Sequence, residues 1–270
     1  MHCRLGGGHN RCFDTFNDAV DAYSLECLSG DIAGLIDALS PNVPAIVIGH
    51  DWGAPISWTT ALVHPERVKA VAGLSVPYTG IPKRSLTDMI DYMYTRHGRF
   101  FYQHYFAQEG AAEAEMEADV RGALRRFYYA WSGDAPKGAW PSDKQTGDTV
   151  LYRLPDPDPF PAWLSAADID YYVAEFERSG FRGGLNRYRN HDRDFAFLQK
   201  FQGRRIEQPS LYIGGDRDHV LTMFGDLIPP MKAELTNLCG LYVLPGCGHW
   251  TQQERPAEVN AILLPWLQGV

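Results

Sequence analysis

Long apolar runs are missing from this 270-residue sequence. The longest span only a few residues, far short of the ~20 that a membrane-spanning helix needs. Positive charge is scarce too: 25 Lys and Arg stand against 33 Asp and Glu, a formal net charge of −8. That balance argues against a nucleic-acid partner, which selects a basic face, and against a polybasic anchor on anionic lipid. Cysteine is sparse. Cys3, Cys12, Cys27, Cys239 and Cys247 are odd in number and scattered, too few for a disulfide framework at this length. Cys3, His9 and Cys12 lack the paired close spacing of a zinc site. Residues 1–10 contain Arg4 but no apolar stretch, so no signal peptide is read. The expectation is a soluble, cytoplasmic protein without repeats, large enough for one core and an insert.

Apolar periodicity supplies the organisation. Leu25, Leu28, Ile32, Leu35, Ile36 and Leu39 lie on one helical face, with Ser24 as N-cap and Pro41 as stop. Ala45-Ile46-Val47-Ile48 reads as a strand buried on both faces. Pro55 suits the first turn of a helix carrying Ile56, Trp58 and Leu62, which Pro65 closes. Residues 68–76 form a second apolar strand, ended by Pro77. From about 80 to 200 strand-like runs vanish and aromatics, Arg and Glu take over. Helices are expected at 86–96, 111–131 and 166–179, with the proline-rich segment 154–161 as turns. Strand signals return at 210–214 and 240–244, and 256–267 reads as a terminal helix that Pro265 should kink or shorten. This alternation predicts an α/β protein with a mostly parallel sheet, its core at 1–77 and 205–270 and a helical insert at 78–204. Such an insert belongs above the carboxyl ends of the strands, where open α/β sheets bind ligands.

The sharpest local signal is Ile48-Gly49-His50-Asp51-Trp52-Gly53. A strand runs into a helix through a turn with glycines two before and two after one reactive side chain, the pattern of a nucleophile elbow. Its central residue is Asp51. A carboxylate attacking an ester yields only an anhydride, but attacking a strained or activated sp³ carbon it yields an alkyl ester. Alone, Asp51 could equally be the N-cap of the helix that follows. Two later segments change the balance. The strand from Leu211 ends in Gly-Gly followed by Asp216 and Asp218, and the strand from Leu241 ends in a glycine-rich loop presenting His249. Nucleophile, acid and histidine thus follow in the chain order of an α/β-hydrolase triad, each at the end of a strand. His50, alternating on its strand, reads as structural, and Glu113, Glu115, Glu117 and Asp119 as a solvated helix face.

Gly49-His50-Asp51-Trp52-Gly53-Ala54-Pro55 resembles the nucleophile turn of the α/β-hydrolase-fold epoxide hydrolases. Residues 101–110 resemble the cap segment holding that family's first oxirane-binding tyrosine, and Gly184-Leu185-Asn186-Arg187-Tyr188-Arg189-Asn190 the segment holding the second. Gly246-Cys247-Gly248-His249-Trp250 resembles its histidine loop. The resemblance runs from about residue 20 to the end. It implies an α/β-hydrolase fold with an inserted helical cap, Asp51 as nucleophile, His249 as base and Asp218, ahead of Asp216, as the acid that orients it. Tyr102, ahead of Tyr105, matches the first cap tyrosine and Tyr188 the second. Trp52 would wall the substrate pocket and lend its N–H to the oxyanion. Arg187 stands where the family often has tryptophan. The implied reaction opens an epoxide through an alkyl ester on Asp51, which water activated by His249 hydrolyses to a vicinal diol. It needs no metal and no organic cofactor. The implied partner is a small-molecule epoxide, in a detoxifying role, with a homodimer left open.

One family element has no match. The loop His-Gly-x-Pro, which supplies the second oxyanion donor, is absent; His97-Gly98 is followed by Arg99-Phe100 and lies in the insert. Nothing before residue 20 reads as a strand. The expectation is therefore an amino-terminally truncated chain, about 30–50 residues short of ordinary domain economy, with the first strands of the sheet missing. Residues 45–48 would then lie at an exposed edge, an aggregation hazard. Losing one oxyanion donor lowers rates on the order of 10²–10³-fold in acyl chemistry. The alternatives are a haloalkane or haloacid dehalogenase, which would want halide-gripping Trp or Asn rather than Tyr102 and Tyr188, and a catalytically impaired remnant that only binds.

Overall fold

The computed structural model describes residues 19–221 and 223–270. In chain order these form α1 (Leu25–Leu39), β1 (Ala45–His50), α2 (Gly53–Val63), β2 (Val68–Leu74), α3 (Leu86–Met93), α4 (Tyr102–Ala107), α5 (Ala111–Glu117), α6 (Val120–Ala130), α7 (Ala166–Ser179), α8 (Arg182–Asn186), α9 (His191–Gln199), β3 (Ser210–Gly215), α10 (Ile228–Glu234), β4 (Leu238–Leu244), α11 (Thr251–Glu254) and α12 (Pro256–Gly269). They divide into two compact units. A core unit takes Leu25–Pro82 and Phe197–Val270, and a helical unit takes Lys83–Ala196 with residues 19–24. The breaks at 82/83 and 196/197 fall inside the 78–204 span expected for the insert, whereas the one at 24/25 falls inside the expected 1–77 core. Residues 19–24 join the helical unit because Asn190 Nδ2 donates to the Val20 carbonyl at 2.6 Å and the Arg187 guanidinium donates to the Tyr23 carbonyl.

The core unit is built on a parallel sheet in the order β1-β2-β3-β4. Successive side chains on a strand point to opposite faces, and here both faces are apolar. Val71 and Tyr212 project to one side, where Ala54, Trp58 and Leu62 of α2 and Met231 and Leu235 at α10 pack. Ala72, Leu74, Leu211 and Ile213 project to the other, against Val259, Ile262, Leu263 and Trp266 of α12. Burial on both sides explains the unbroken apolar runs of β2 and β3. Trp58 is the largest fully buried side chain, with Nε1 donating to the Val76 carbonyl at 3.1 Å. It fits because Gly73 faces it; a Cβ there would lie 2.3 Å from the indole. α12 runs through Pro265 to Gly269 instead of stopping early. Leu263 and Trp266 remain packed on the sheet there, and that burial outweighs the hydrogen bond proline removes. Among the described residues β1 pairs with β2 alone, and Ile48 is 42% exposed. The expectation of missing first strands concerns residues before 20, nearly all of which lie outside the described residues.

In the helical unit the stretch 111–131 is two helices, not one. The break falls where the Asp119 carboxylate accepts from Gly122 N at 2.9 Å and caps α6. The acidic run is a solvated face only in part: Glu117 and Asp119 are exposed, but Glu113 is buried and Glu115 half-buried, and all four are engaged. Glu113 accepts from Gly110 N at 2.9 Å and pairs with Arg189 at 2.7 Å. Glu115 accepts from Val150 N and Leu151 N at 3.0 and 2.9 Å. Glu117 accepts from Phe181 N at 3.1 Å. Short helices and the loops between them leave many backbone N–H groups without helical partners, and these carboxylates satisfy them. Lys144 does the converse. The residue is 2% exposed, and its ammonium donates to the Thr149 and Val150 carbonyls at 3.2 and 2.7 Å and lies over the rings of Phe100 and Trp140.

Candidate active site

The site grows from the turn between β1 and α2. Asp51 sits there with φ +52, in the left-handed region that side chains other than glycine rarely adopt. The turn is held by Asp51 N to the Leu74 carbonyl at 3.3 Å and Ala54 N to the Asp51 carbonyl at 3.0 Å. Of the two flanking glycines only Gly49 is demanded by space. A Cβ there would lie 1.9 Å from the Gly53 carbonyl oxygen, whereas one on Gly53 meets nothing within 4 Å.

His249 follows β4. Its Nδ1 lies 3.0 Å from Asp218 Oδ2 and its Nε2 3.2 Å from Asp51 Oδ1. The Asp218 side chain is fully buried and that of His249 is 4% exposed, whereas that of Asp51 is 42% exposed. The Asp51 carboxylate is therefore accessible, while the imidazole and carboxylate behind it are sealed. Asp216, the competing acid, does different work: its carboxylate accepts from Gly246 N at 2.7 Å and pins the start of the histidine loop.

The electrostatics follow from these contacts. Burial alone would lower the His249 pKa, but Asp218 and Asp51, each bonded to a ring nitrogen, raise it to about 10. Burial would raise that of Asp51, yet the hydrogen bond and charge of His249 hold it below the usual carboxylate range, helped by the Trp52 backbone N–H. Burial, then the charge of His249, push His50 down to about 4, so its ring is neutral.

Three residues that sequence reasoning missed or undervalued hold the histidine in place. His50 Nε2 donates to the His249 carbonyl at 2.7 Å and Ser75 Oγ donates to the same oxygen at 2.6 Å. Ser75 itself has φ +69, which ends β2 at Leu74. Glu254, buried at the end of α11, accepts from Gly248 N at 2.9 Å and from Trp250 N at 3.0 Å, bracketing His249 on both sides. An acid five residues after the histidine was a visible but unspecific signal. Gly215 admits the loop to β3, since a Cβ there would lie 2.1 Å from the Cys247 carbonyl.

The tyrosines belong to the helical unit. Tyr102 and Tyr188 are brought together, with ring centroids 6.0 Å apart and edge-on. The Tyr102 ring also meets Phe106, Trp131 and Trp140 at 5.6, 5.2 and 5.8 Å. Tyr105 is engaged elsewhere, with its hydroxyl 3.3 Å from the Ala111 carbonyl and bonded to Glu115. Arg187, beside Tyr188, is buried in an ion pair with Asp194; burial pushes it down to about 9. Trp52 is half-buried. Among the described residues no cluster of three or more His, Cys, Asp or Glu could hold a metal ion, and no helix is long and apolar enough to cross a membrane. Cys3, His9 and Cys12 lie outside the described residues.

A family profile for the alpha/beta hydrolase fold matches residues 7–256. The chain is 38% identical to epoxide hydrolase A of Mycobacterium tuberculosis over 257 residues, covering 94% of this chain and 77% of that protein. Among solved structures it resembles an epoxide hydrolase from an endophytic Streptomyces, with 42% identity, a TM-score of 0.88 and coverage of 98% and 79% of the two chains. It also resembles epoxide hydrolase A of Mycobacterium thermoresistibile, with 38% identity, a TM-score of 0.87 and coverage of 94% and 78%.

Proposed function

This chain belongs to the epoxide hydrolases of the α/β-hydrolase fold, and from that premise we propose that it opens an epoxide to a vicinal diol through an ester on Asp51. The observation that carries this reading is the line Asp51, His249, Asp218 within one unit, at 3.2 and 3.0 Å. An accessible carboxylate in a strained turn is suited to attack on a strained sp³ carbon from its back side. The C–O bond that breaks leaves its electron pair on the ring oxygen. A phenol hydrogen from Tyr102 or Tyr188 meets that charge as it develops, a general-acid contribution of typically 10²–10⁴-fold. Esterification then removes the charge of Asp51. His249 keeps only Asp218 as a carboxylate partner, its pKa falls, and the imidazole can take a proton from water. That water attacks the Asp51 carbonyl carbon and releases the diol, while Asp218 holds the ring's tautomer and stabilises the imidazolium. The released proton restores the phenol.

Two further readings attach to this one. Trp52 lends its N–H to the oxyanion of the second step and its indole to the wall of the substrate pocket. These 270 residues hold no His-Gly-x-Pro segment, so a polypeptide of this sequence is expected to hydrolyse its ester slowly, on the order of 10²–10³-fold below an enzyme with both donors. The experiment is turnover of styrene oxide in ¹⁸O-water followed by mass analysis of the Asp51 peptide. Label in Asp51 with formation of the diol, both lost in Asp51→Asn, is the expected result. Diol formed without label in Asp51 refutes the ester. Label arising from a haloalkane but not from the epoxide would assign a dehalogenase.

A further inference from the structure

Gln103 follows Tyr102 in the first turn of α4 and is buried, with 7% of its surface exposed. Adjacent residues on a helix do not ordinarily face each other. Here the Gln103 side chain turns back, and its Nε2 donates to the Tyr102 hydroxyl oxygen at 2.8 Å. A phenol oxygen has one hydrogen to give and two lone pairs to receive. With an amide N–H on one lone pair, the hydroxyl hydrogen is turned away from Gln103, so the oxygen acts as a donor toward its other neighbours. An N–H donated to that oxygen also favours phenolate over phenol and so makes the phenol a stronger acid. The other end of the amide is as informative. Gln103 Oε1 is buried with no hydrogen-bond partner, so the contact that holds this amide is the one to the Tyr102 hydroxyl. Gln103 and Tyr188 line the same cavity, of about 630 Å³, in the helical unit.

We propose that Gln103 is a positioning residue that holds the Tyr102 hydroxyl as a hydrogen donor and raises its acidity, making Tyr102 the phenol that transfers its proton to the opening oxirane. The proposal rests on the epoxide-opening role argued above for this chain. In the step concerned, a bond forms from an Asp51 oxygen to carbon and the oxirane C–O bond breaks. The Tyr102 proton passes to the ring oxygen, and the phenolate left behind keeps the Gln103 N–H. Hydrolysis of the ester later returns a proton to it.

The test follows ester formation in a His249→Gln background, where the ester accumulates and is read as a mass shift in quenched samples. The probes are 1,2-epoxypropane and its 3,3,3-trifluoro analogue, whose alkoxide is less basic. A hydrogen bond to a charged group is worth on the order of 10- to 100-fold. Gln103→Met is expected to slow ester formation from 1,2-epoxypropane by that factor at saturation, with the half-saturating concentration unchanged. The loss should shrink for the trifluoro analogue and vanish when Tyr102→Phe is already present. Gln103→Glu, which replaces the donor by an acceptor, should be slowed at least as much. Ester formation at the parental rate in either Gln103 variant overturns the proposal. So does an equal loss from Gln103→Met with and without Tyr102→Phe, which would mark a purely structural role. If Tyr102→Phe alone reacts at the parental rate, the role of Tyr102 as acid fails instead, and the two failures are told apart.

Discussion

Replacing Lys144 by methionine should change how stability depends on pH, and the sign follows from burial. The ammonium lies among the Phe100 and Trp140 rings and the Thr149 and Val150 carbonyls. Burial pushes its pKa down from 10.5 to about 8, against the opposing charge of Glu115. Between those two values the unfolded chain holds a proton that the folded unit has released, so stability rises with pH through that window. A gap of about 2.5 units corresponds to about 3 kcal/mol, present as a penalty below pH 8 and gone above 10.5. At neutral pH the two donated hydrogen bonds, at about 1.5 kcal/mol each, offset most of it. Lys144→Met should therefore lie within about 2 kcal/mol of the parent at pH 7. The parent should then gain about 3 kcal/mol on the variant by pH 10.5. Urea unfolding followed through Trp131 and Trp140, both packed on Tyr102 in the same unit, reads this difference. Groups common to both proteins cancel. A difference that stays flat, or falls, from pH 7 to 10.5 would refute the reasoning.

Two more outcomes test the turn and the triad. Gly49→Ala sets a Cβ 1.9 Å from a backbone oxygen that cannot swing away, so it should destabilise by about 3 kcal/mol or more. Gly53→Ala, in open space at the start of α2, should be neutral or stabilising by up to about 1 kcal/mol; paired thermal melts decide. For His249, whose pKa is raised to about 10, stability is fully present below pH 6.5 and lost as pH rises toward 10. Asp218→Asn should lower the pKa of His249 and flatten that loss, which a proton titration of the ring by NMR would show; an unchanged pKa would contradict the assignment of Asp218.

What was legible in the sequence was whatever a few neighbouring residues determine. β1, β2, β3 and α1 are apolar patterns of their own residues, and α7 is readable at both ends because Ser165 and Asp168 form a capping box at its start and Gly180, at φ +64, closes it. The elbow is legible for the same reason: Gly49, Asp51 and the start of α2 lie within five positions. Boundaries set by partners elsewhere were not. β2 stops at Leu74 because Ser75 turns to reach the His249 carbonyl, 174 residues away in sequence. α12 continues past Pro265 because the sheet face holds Leu263 and Trp266. Neither fact is written near the residue it governs.

The acidic run shows where local reading misled. Glu113, Glu115, Glu117 and Asp119 recur every second residue, and on a helix residues two apart point about 200° apart. That spacing never described one solvated face. It describes carboxylates fanning out, and they reach Arg189, the amides of Val150 and Leu151, the amide of Phe181 and the first turn of α6. The two acids that follow β3 behave the same way one level up. Asp216 and Asp218 both follow β3 within three residues, and their partners part them: Asp216 binds Gly246 N while Asp218 reaches the His249 ring. One acid fixes the loop and the other fixes the ring, so neither replaces the other. The candidate side chains are encoded in short motifs, while their placement depends on groups far away in sequence such as His50 and Ser75, which both reach the His249 carbonyl.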